Sequence, residues 1–183
     1  IVHSERSPGA AKAKGSRLFG LQSWVALPAA HEETDPAFAH AEEQDLPLIE
    51  DHGLRVRLVV GQAWGRRSPV ATFSDTLYAD AALEPDAALP VDPAQEERAL
   101  YTVAGEIEIG GDRFAPGRLL VLRPGDAVTV RNPGPAPARF VLLGGATMDG
   151  PRHIWWNFVS SRRERIEQAR AEWKAGRFDT VPG

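Results

Sequence analysis

Residues 106–134 read EIEIGGDRFAPGRLLVLRPGDAVTVRNPG, and this stretch decides the fold class. Apolar and polar side chains alternate over residues 106–109 and again over residues 128–131. A two-residue period places successive side chains on opposite faces of a strand. Turn-forming residues separate the alternating segments, at Gly110-Gly111, Pro116-Gly117, Pro124-Gly125-Asp126 and Asn132-Pro133-Gly134. Many short antiparallel strands at close spacing predict an all-β sandwich or jelly-roll barrel.

The same alternation extends upstream and downstream of this stretch. Residues 54–60 place four apolar side chains on one face, namely Leu54, Val56, Leu58 and Val60. Arg55 and Arg57 point the other way. Further strands are predicted over residues 21–27, 76–83, 99–103, 118–122, 139–143 and 154–159.

Two regions depart from the β pattern. Residues 29–47 are acidic, alanine-rich and interrupted by proline, which predicts a linker with a short helical turn. The C-terminal region predicts one helix, which begins at a capping box of Ser161 and Glu164 and ends at Gly176. Its apolar stripe consists of Ile166, Ala169 and Trp173.

Composition excludes several kinds of function. The chain has 183 residues, no cysteine and a net charge of −4, so it offers neither a thiolate site nor a global positive field for nucleic acid. No apolar run reaches the length of a membrane span, roughly 18 residues. We therefore expect a cytoplasmic protein with no membrane partner and no direct nucleic-acid partner. Neither a G-x-S-x-G nucleophile elbow nor a P-loop is present.

One histidine-carboxylate pair is a candidate metal site. His3 and Glu5 lie two residues apart in an extended segment, so both side chains project to the same face. Two ligands are fewer than the two histidines and one carboxylate of a non-haem iron site. On spacing alone, a surface histidine beside a salt-bridging glutamate is the favoured interpretation, because single histidines are rarely ligands without a cluster. No histidine occurs between Gly53 and Arg152, which predicts no imidazole site in the stretch of alternating strands.

The aromatic run Trp155-Trp156-Asn157-Phe158-Val159 leaves two interpretations open. The rings could stack on a planar ligand, or they could fill a core, which is the more usual role of such a cluster.

Five segments together resemble the pirin family in order and spacing. They are IVHSE at residues 1–5, GLQSWVALP at residues 20–28, SPV at residues 68–70, LLVL at residues 119–122 with Gly125-Asp126, and the tail from Trp156 to Phe178. The resemblance implies a bicupin, two double-stranded β-helix (jelly-roll) barrels with a C-terminal helix. Residues 1–40 would complete an N-terminal barrel whose front part is absent and begin a linker. Residues 41–150 would form the C-terminal barrel, and residues 151–183 an aromatic strand and the helix.

The resemblance also implies a ligand set. Pirins bind one iron in the N-terminal barrel through three histidines and a glutamate, and His3 and Glu5 match the last two of these ligands. The first two, from an upstream His-Pro-His segment, have no counterpart, so we expect an N-terminally incomplete chain. It would bind one Fe(II) only when the upstream ligands are present. Glu5 would then serve as a ligand and as a catalytic proton acceptor.

The functions implied by the resemblance fall into two classes. Some pirins resemble quercetin 2,3-dioxygenases, which implies a flavonoid-like substrate and an iron-dependent enzyme. Others resemble regulators that bind a protein partner in an iron-dependent way or inhibit a metabolic enzyme. A third interpretation, drawn from the second barrel's lack of catalytic groups, is a structural or interaction module.

Overall fold

The computed structural model describes residues 13, 15 and 19–179, and over residues 19–179 it shows β-strands and one α-helix, α1 (Arg163–Lys174). Two single-turn 3-10 helices, Ala29–His31 and Glu43–Asp45, lie within the predicted linker. The strands are β1 Leu48–Asp51, β2 Leu54–Val60, β3 Gln62–Ala63, β4 Arg66–Arg67, β5 Thr76–Leu83, β6 Ala88–Val91, β7 Glu97–Ala104, β8 Ile107–Ile109, β9 Asp112–Phe114, β10 Leu119–Leu122, β11 Val128–Arg131, β12 Ala138–Gly145, β13 His153–Trp155 and β14 Phe158–Ser160.

The chain divides into two compact units. Residues 37–148 form one, which we call the barrel unit. The segments before residue 37 and after residue 148 form the other, which we call the terminal unit. Within the terminal unit, β13 and β14 form an antiparallel hairpin that α1 contacts.

The barrel unit consists of two principal antiparallel sheets. The larger has six strands in the order β1-β2-β5-β12-β7-β10, and the smaller has four in the order β6-β11-β8-β9. Neighbours in each sheet are mostly distant in sequence, as in β12 between β5 and β7. This crossed antiparallel order is that of a jelly roll, so the predicted all-β cupin class is confirmed.

The barrel core follows directly from the alternation in the sequence. In β5 every second residue is buried, so Leu77, Ala79, Ala81 and Leu83 face inward. Phe140 of β12 is fully buried among them. Burying one large aliphatic or aromatic side chain contributes about 1.5–3 kcal/mol, so this core is the main stabilising element of the barrel unit.

Most predicted strands are present, and β5 has the predicted bounds. The predicted strand over residues 21–27 is wrong, because that segment has no regular structure. The predicted strand over residues 154–159 is instead the hairpin β13–β14, since Trp156 takes a positive φ of 49° at the turn. Val60 also leaves its predicted face. A bulge after Leu58 pairs Val60 with Tyr78, whereas Leu58 pairs with Ala79 on the opposite face.

The predicted helix is present, but its predicted capping box is wrong. The residue at the N-cap is Arg162, which makes no side-chain cap bond. The Ser161 hydroxyl donates instead to Glu32, at 2.9 Å. The predicted end at Gly176 agrees with the structure, since the helix stops at Lys174 and Gly176 takes a φ of 64°.

Candidate functional site

The predicted metal ligands His3 and Glu5 lie outside the described residues, so their geometry stays a prediction. Within residues 13, 15 and 19–179, no group of three histidine, cysteine, aspartate or glutamate side chains could hold a metal ion. The other histidines are exposed and scattered. His40 lies 3.2 Å from Glu42, and His52 contacts Asp51. The donor set of the described residues therefore does not fit a metal.

The interior of the barrel unit contains tightly packed apolar side chains and one buried cation. Leu58, Leu100, Ile107 and Phe140 are fully buried there. Arg98 is only 2% exposed, and its guanidinium donates to three backbone carbonyl oxygens, those of Asp92 (3.2 Å), Arg123 (2.8 Å) and Asp126 (2.9 Å). These bonds place the charge of Arg98 at the end of the core, where it fastens two loops.

The carboxylates of the barrel unit serve local structure. Asp80 accepts two bonds from Arg139, at 2.8 and 2.6 Å, on the outer face of the larger sheet. Glu96 accepts the backbone N–H of Thr147 at 2.8 Å, and this bond lowers the pKa of Glu96. Asp92 accepts the N–H of Ala94 at 2.9 Å. These three carboxylates thus orient loops and strand ends.

The strongest polar cluster lies in the terminal unit, and sequence reasoning missed it. We call Glu32, Arg152, Ser160 and Ser161 the Glu32 clasp. The Glu32 carboxylate lies 2.8 Å from Arg152 and accepts bonds from the Ser160 hydroxyl (3.0 Å) and the Ser161 N–H (2.8 Å). The side chains of Glu32 and Arg152 are 9% and 7% exposed. No local pattern signals this cluster, because 128 residues separate Glu32 from Ser160.

The electrostatics of the clasp favour the ionised form of Glu32. Burial by itself would raise its pKa, but the bonds from Ser161 and Ser160 and the positive charge of Arg152 together lower the pKa of Glu32 below its ordinary value. Arg152 also donates to the Leu27 carbonyl at 2.8 Å and to Asp149 at 2.5 Å. The ionised carboxylate is therefore fully engaged in structure and is not available as a general base.

The neighbouring charges extend the clasp. Asp149 accepts the N–H of Ala29 at 2.7 Å, and Arg152 and this N–H both lower the pKa of Asp149. Glu33 contacts Arg162 and lies 3.0 Å from Arg165. Residues 27–33 are thus fastened by charge to the hairpin and to the start of α1.

The aromatic run forms a cluster of five rings. Trp156 and Trp173 meet edge to face with centroids 5.0 Å apart, and Phe158 stacks on Trp155 at 6.0 Å and on Phe178 at 5.5 Å. The rings contact one another and leave no gap for a planar ligand between these pairs, which favours the packing interpretation. Trp156 and Trp173 are nevertheless 54% and 46% exposed.

An open groove of about 990 Å³ lies on the barrel unit, between residues 42–48 and the β3–β4 hairpin. Arg57 fixes one wall by donating to the Glu43 carboxylate at 2.7 Å and to its carbonyl at 2.6 Å. Arg66 and Arg67 line the other wall. The groove is lined by the acidic groups of residues 42–45 and by three arginines, so its charge selects no single class of small ligand.

Comparison with known proteins identifies relatives of the whole chain. The family model of the Pirin C-terminal cupin domain matches residues 78–179. A pirin-like protein of Caulobacter vibrioides is 43% identical over 179 residues, which is 97% of this chain and 61% of that protein. A Pseudomonas aeruginosa protein provisionally named a quercetin 2,3-dioxygenase is 34% identical over all of this chain and 58% of its own length. The chain thus spans about 60% of the length of these relatives.

Solved structures share the fold. Two crystal structures of quercetin 2,3-dioxygenase from Acinetobacter baumannii superpose with TM-scores of 0.79 and 0.77, at 20% and 26% identity. Each covers 87% of this chain, which corresponds to 56% and 53% of the matched chains.

Proposed function

The chain belongs to the pirin family, and on that premise we propose that the protein is a metal-dependent cupin enzyme of the quercetin 2,3-dioxygenase type. The observation that carries the proposal is the match of the entire chain to a relative provisionally named for that activity. The substrate would be a flavonoid-like small molecule. A cytoplasmic location, expected from the sequence, stays a prediction, and no described helix is long and apolar enough to cross a membrane.

The metal we propose is Fe(II), with His3 and Glu5 as two of its ligands. An imidazole and a carboxylate are appropriate donors, but a site of this kind needs at least one more histidine. The family resemblance assigns two further histidines that have no counterpart in these 183 residues. When bound, iron would supply Lewis acidity toward the substrate oxygens. Glu5 would hold the metal and accept the proton of a flavonol hydroxyl.

In this proposal the N-terminal residues contribute to the metal site and the barrel unit has a structural role. We assign residues 1–40 to the end of a metal-bearing N-terminal barrel and the start of a linker, and residues 41–150 to a second barrel with a structural role. In the terminal unit several large apolar side chains are exposed, among them Trp24 (58%), Val25 (63%) and Ile154 (68%). Exposed apolar surface of this extent is typical of a face that another part of a protein covers.

The experiment combines metal content with activity. Natively purified protein of recorded intact mass is analysed for iron, and oxygen uptake is then measured with quercetin. We expect about one iron per chain and quercetin-dependent uptake in protein that includes the upstream ligands, and His3→Gln should lose both. His153→Gln, a change at an exposed histidine of β13, is the matched control and should retain both. Iron binding and oxygen uptake that survive His3→Gln with Glu5→Gln would contradict the assignment.

A non-enzymatic role is the second candidate. The observation that favours it is the barrel unit, whose described interior is filled with apolar side chains. Such a domain can present surfaces to a protein partner without binding a small molecule. Protein that carries a full complement of iron but takes up no oxygen with quercetin would favour this candidate over the enzyme.

A further inference from the structure

The two edges of the larger sheet differ in a way that points to a peptide-binding site. Edge strand β1 ends in Glu50 and Asp51, and Glu50 forms an ion pair with Arg55 at 3.4 Å. Charged side chains protect a sheet edge against added strands. The opposite edge, β10, contains only apolar residues, Leu119-Leu120-Val121-Leu122.

Every second residue of β10 has both an exposed side chain and backbone groups that point to the open edge of the sheet. Leu120 and Leu122 pack against the core, whereas Leu119 and Val121 are 59% and 78% exposed on the outer face. In an antiparallel pair, backbone hydrogen bonds to the partner alternate along the strand. Because the N–H of Thr102 bonds the carbonyl of Arg118 at 2.9 Å, the N–H and C=O groups of Leu119 and Val121 point to the open edge.

Both ends of β10 are held in place by buried groups. The Thr102 hydroxyl accepts the N–H of Arg118 at 2.8 Å, and Arg98 donates to the carbonyl of Arg123 at 2.8 Å. Thr102 and Arg98 are 0% and 2% exposed. A strand fixed in this way is pre-organised, so a ligand would lose less entropy when it binds.

The charges beside β10 specify the partner. Arg118 and Arg123 are exposed and flank the strand, and no described residue forms an ion pair with either guanidinium. If two copies of β10 paired antiparallel through Leu119 and Val121, Arg118 of one would face Leu122 of the other and Arg123 would face Gly117, so neither charge would be matched. An extended segment with acidic residues about five positions apart matches both arginines, since a strand rises about 3.3 Å per residue.

We propose that the open edge of β10 adds a strand from a protein partner, an extended segment with alternating apolar residues between two acidic residues. Backbone hydrogen bonds to Leu119 and Val121 would supply affinity. Their side chains would contact the apolar residues of the ligand, and Arg118 and Arg123 would select its acidic ends. This site is independent of the proposed oxygen chemistry.

The test uses the full chain and a fluorescent probe peptide, Glu-Thr-Val-Thr-Val-Glu, with both ends blocked, and measures anisotropy. We expect binding that weakens about tenfold when lysine replaces both glutamates, and a comparable loss when proline replaces the first valine, whose N–H would bond the open edge of β10. The paired change Arg118→Glu with Arg123→Glu should invert the preference toward the lysine peptide. Arg66→Glu with Arg131→Glu, two exposed arginines elsewhere on the barrel unit, is the matched control and should bind as the unmodified chain does.

Three outcomes would overturn the proposal. Equal binding of the acidic and basic peptides would show that Arg118 and Arg123 do not select acidic residues. If the unmodified chain is folded by circular dichroism and does not bind the acidic peptide, β10 is not a peptide-binding site. A dimer in sedimentation velocity that Leu119→Lys and Val121→Lys convert to a monomer would assign the edge to a second copy of the chain.

Discussion

The barrel unit and the terminal unit are stabilised by different kinds of side chain. The barrel unit buries fifteen apolar residues in one cluster. In the terminal unit, the buried described residues are Ile166, Ala169 and Ser160, and the Glu32 clasp fastens its segments together. Apolar burial is insensitive to pH and to single charges, whereas an ion pair depends on both partners. One chain thus contains a unit stabilised by its own apolar core and a unit stabilised by a few polar bonds.

The largest effect is expected in the barrel core. Phe140→Ala removes a fully buried ring and leaves a cavity, so the free energy of unfolding of the barrel unit should fall by about 4 kcal/mol. Denaturant unfolding followed by circular dichroism measures this change. Val121→Ala, at an exposed position of the same sheet, is the control and should change stability by less than about 0.5 kcal/mol. Equal losses in the two variants would contradict the assignment of the core.

The second largest effect should be confined to the terminal unit. Glu32→Gln removes one of the two carboxylates that pair with the buried Arg152, Asp149 being the other, and the loss of this charged hydrogen-bond acceptor costs about 1–3 kcal/mol. Hydrogen exchange should become faster at the amides of β13 and β14 and remain unchanged in β5 and β12. Glu33→Gln, at a side chain 55% exposed, should have a much smaller effect. Faster exchange throughout both units would mean that they unfold together.

Acid should act on the terminal unit through the same carboxylate. The pKa of Glu32 is lower in the folded state than in the unfolded chain, where it is about 4.3. The ionised carboxylate therefore stabilises the folded state fully above the unfolded value, and this contribution is lost as pH falls through the folded pKa. Four of the five tryptophans belong to the terminal unit, so tryptophan fluorescence can follow the loss. In Glu32→Gln this acid dependence should shrink to the part that Asp149 contributes, and an unchanged dependence would assign the effect to groups other than Glu32.

The smallest effect concerns the aromatic cluster. Trp156 and Trp173 meet edge to face and are both half-exposed, so their interaction is expected to contribute about 1 kcal/mol. A double-mutant cycle with Trp156→Ala and Trp173→Ala measures this coupling by thermal unfolding. Purely additive losses would show that the two rings contribute independently.

Alternating apolar residues and turn-forming residues predicted most strands of the barrel unit. Thr76–Leu83 alternates over eight residues, and glycine and proline mark the turns around β10 and β11, so these strands could be placed from the sequence. The segment 21–27 also contains alternating apolar residues, yet it forms no strand in the structure. Period alone does not supply a neighbour for the backbone hydrogen bonds that a strand needs. The candidate metal ligands, His3 and Glu5, were identified by family resemblance and stay a prediction.

Sequence patterns specify the all-β class and the C-terminal helix, because alternation, turn residues and helix periodicity act between residues that are close along the chain, and the resemblance of five segments indicates the family. Which polar groups meet depends on the tertiary structure. Glu32 meets Ser161 across 129 positions, Arg98 meets the carbonyl of Asp126 across 28, and β10 lies at an edge because of the strand order. Such contacts depend on how distant segments are brought together, and no short-range pattern specifies that arrangement.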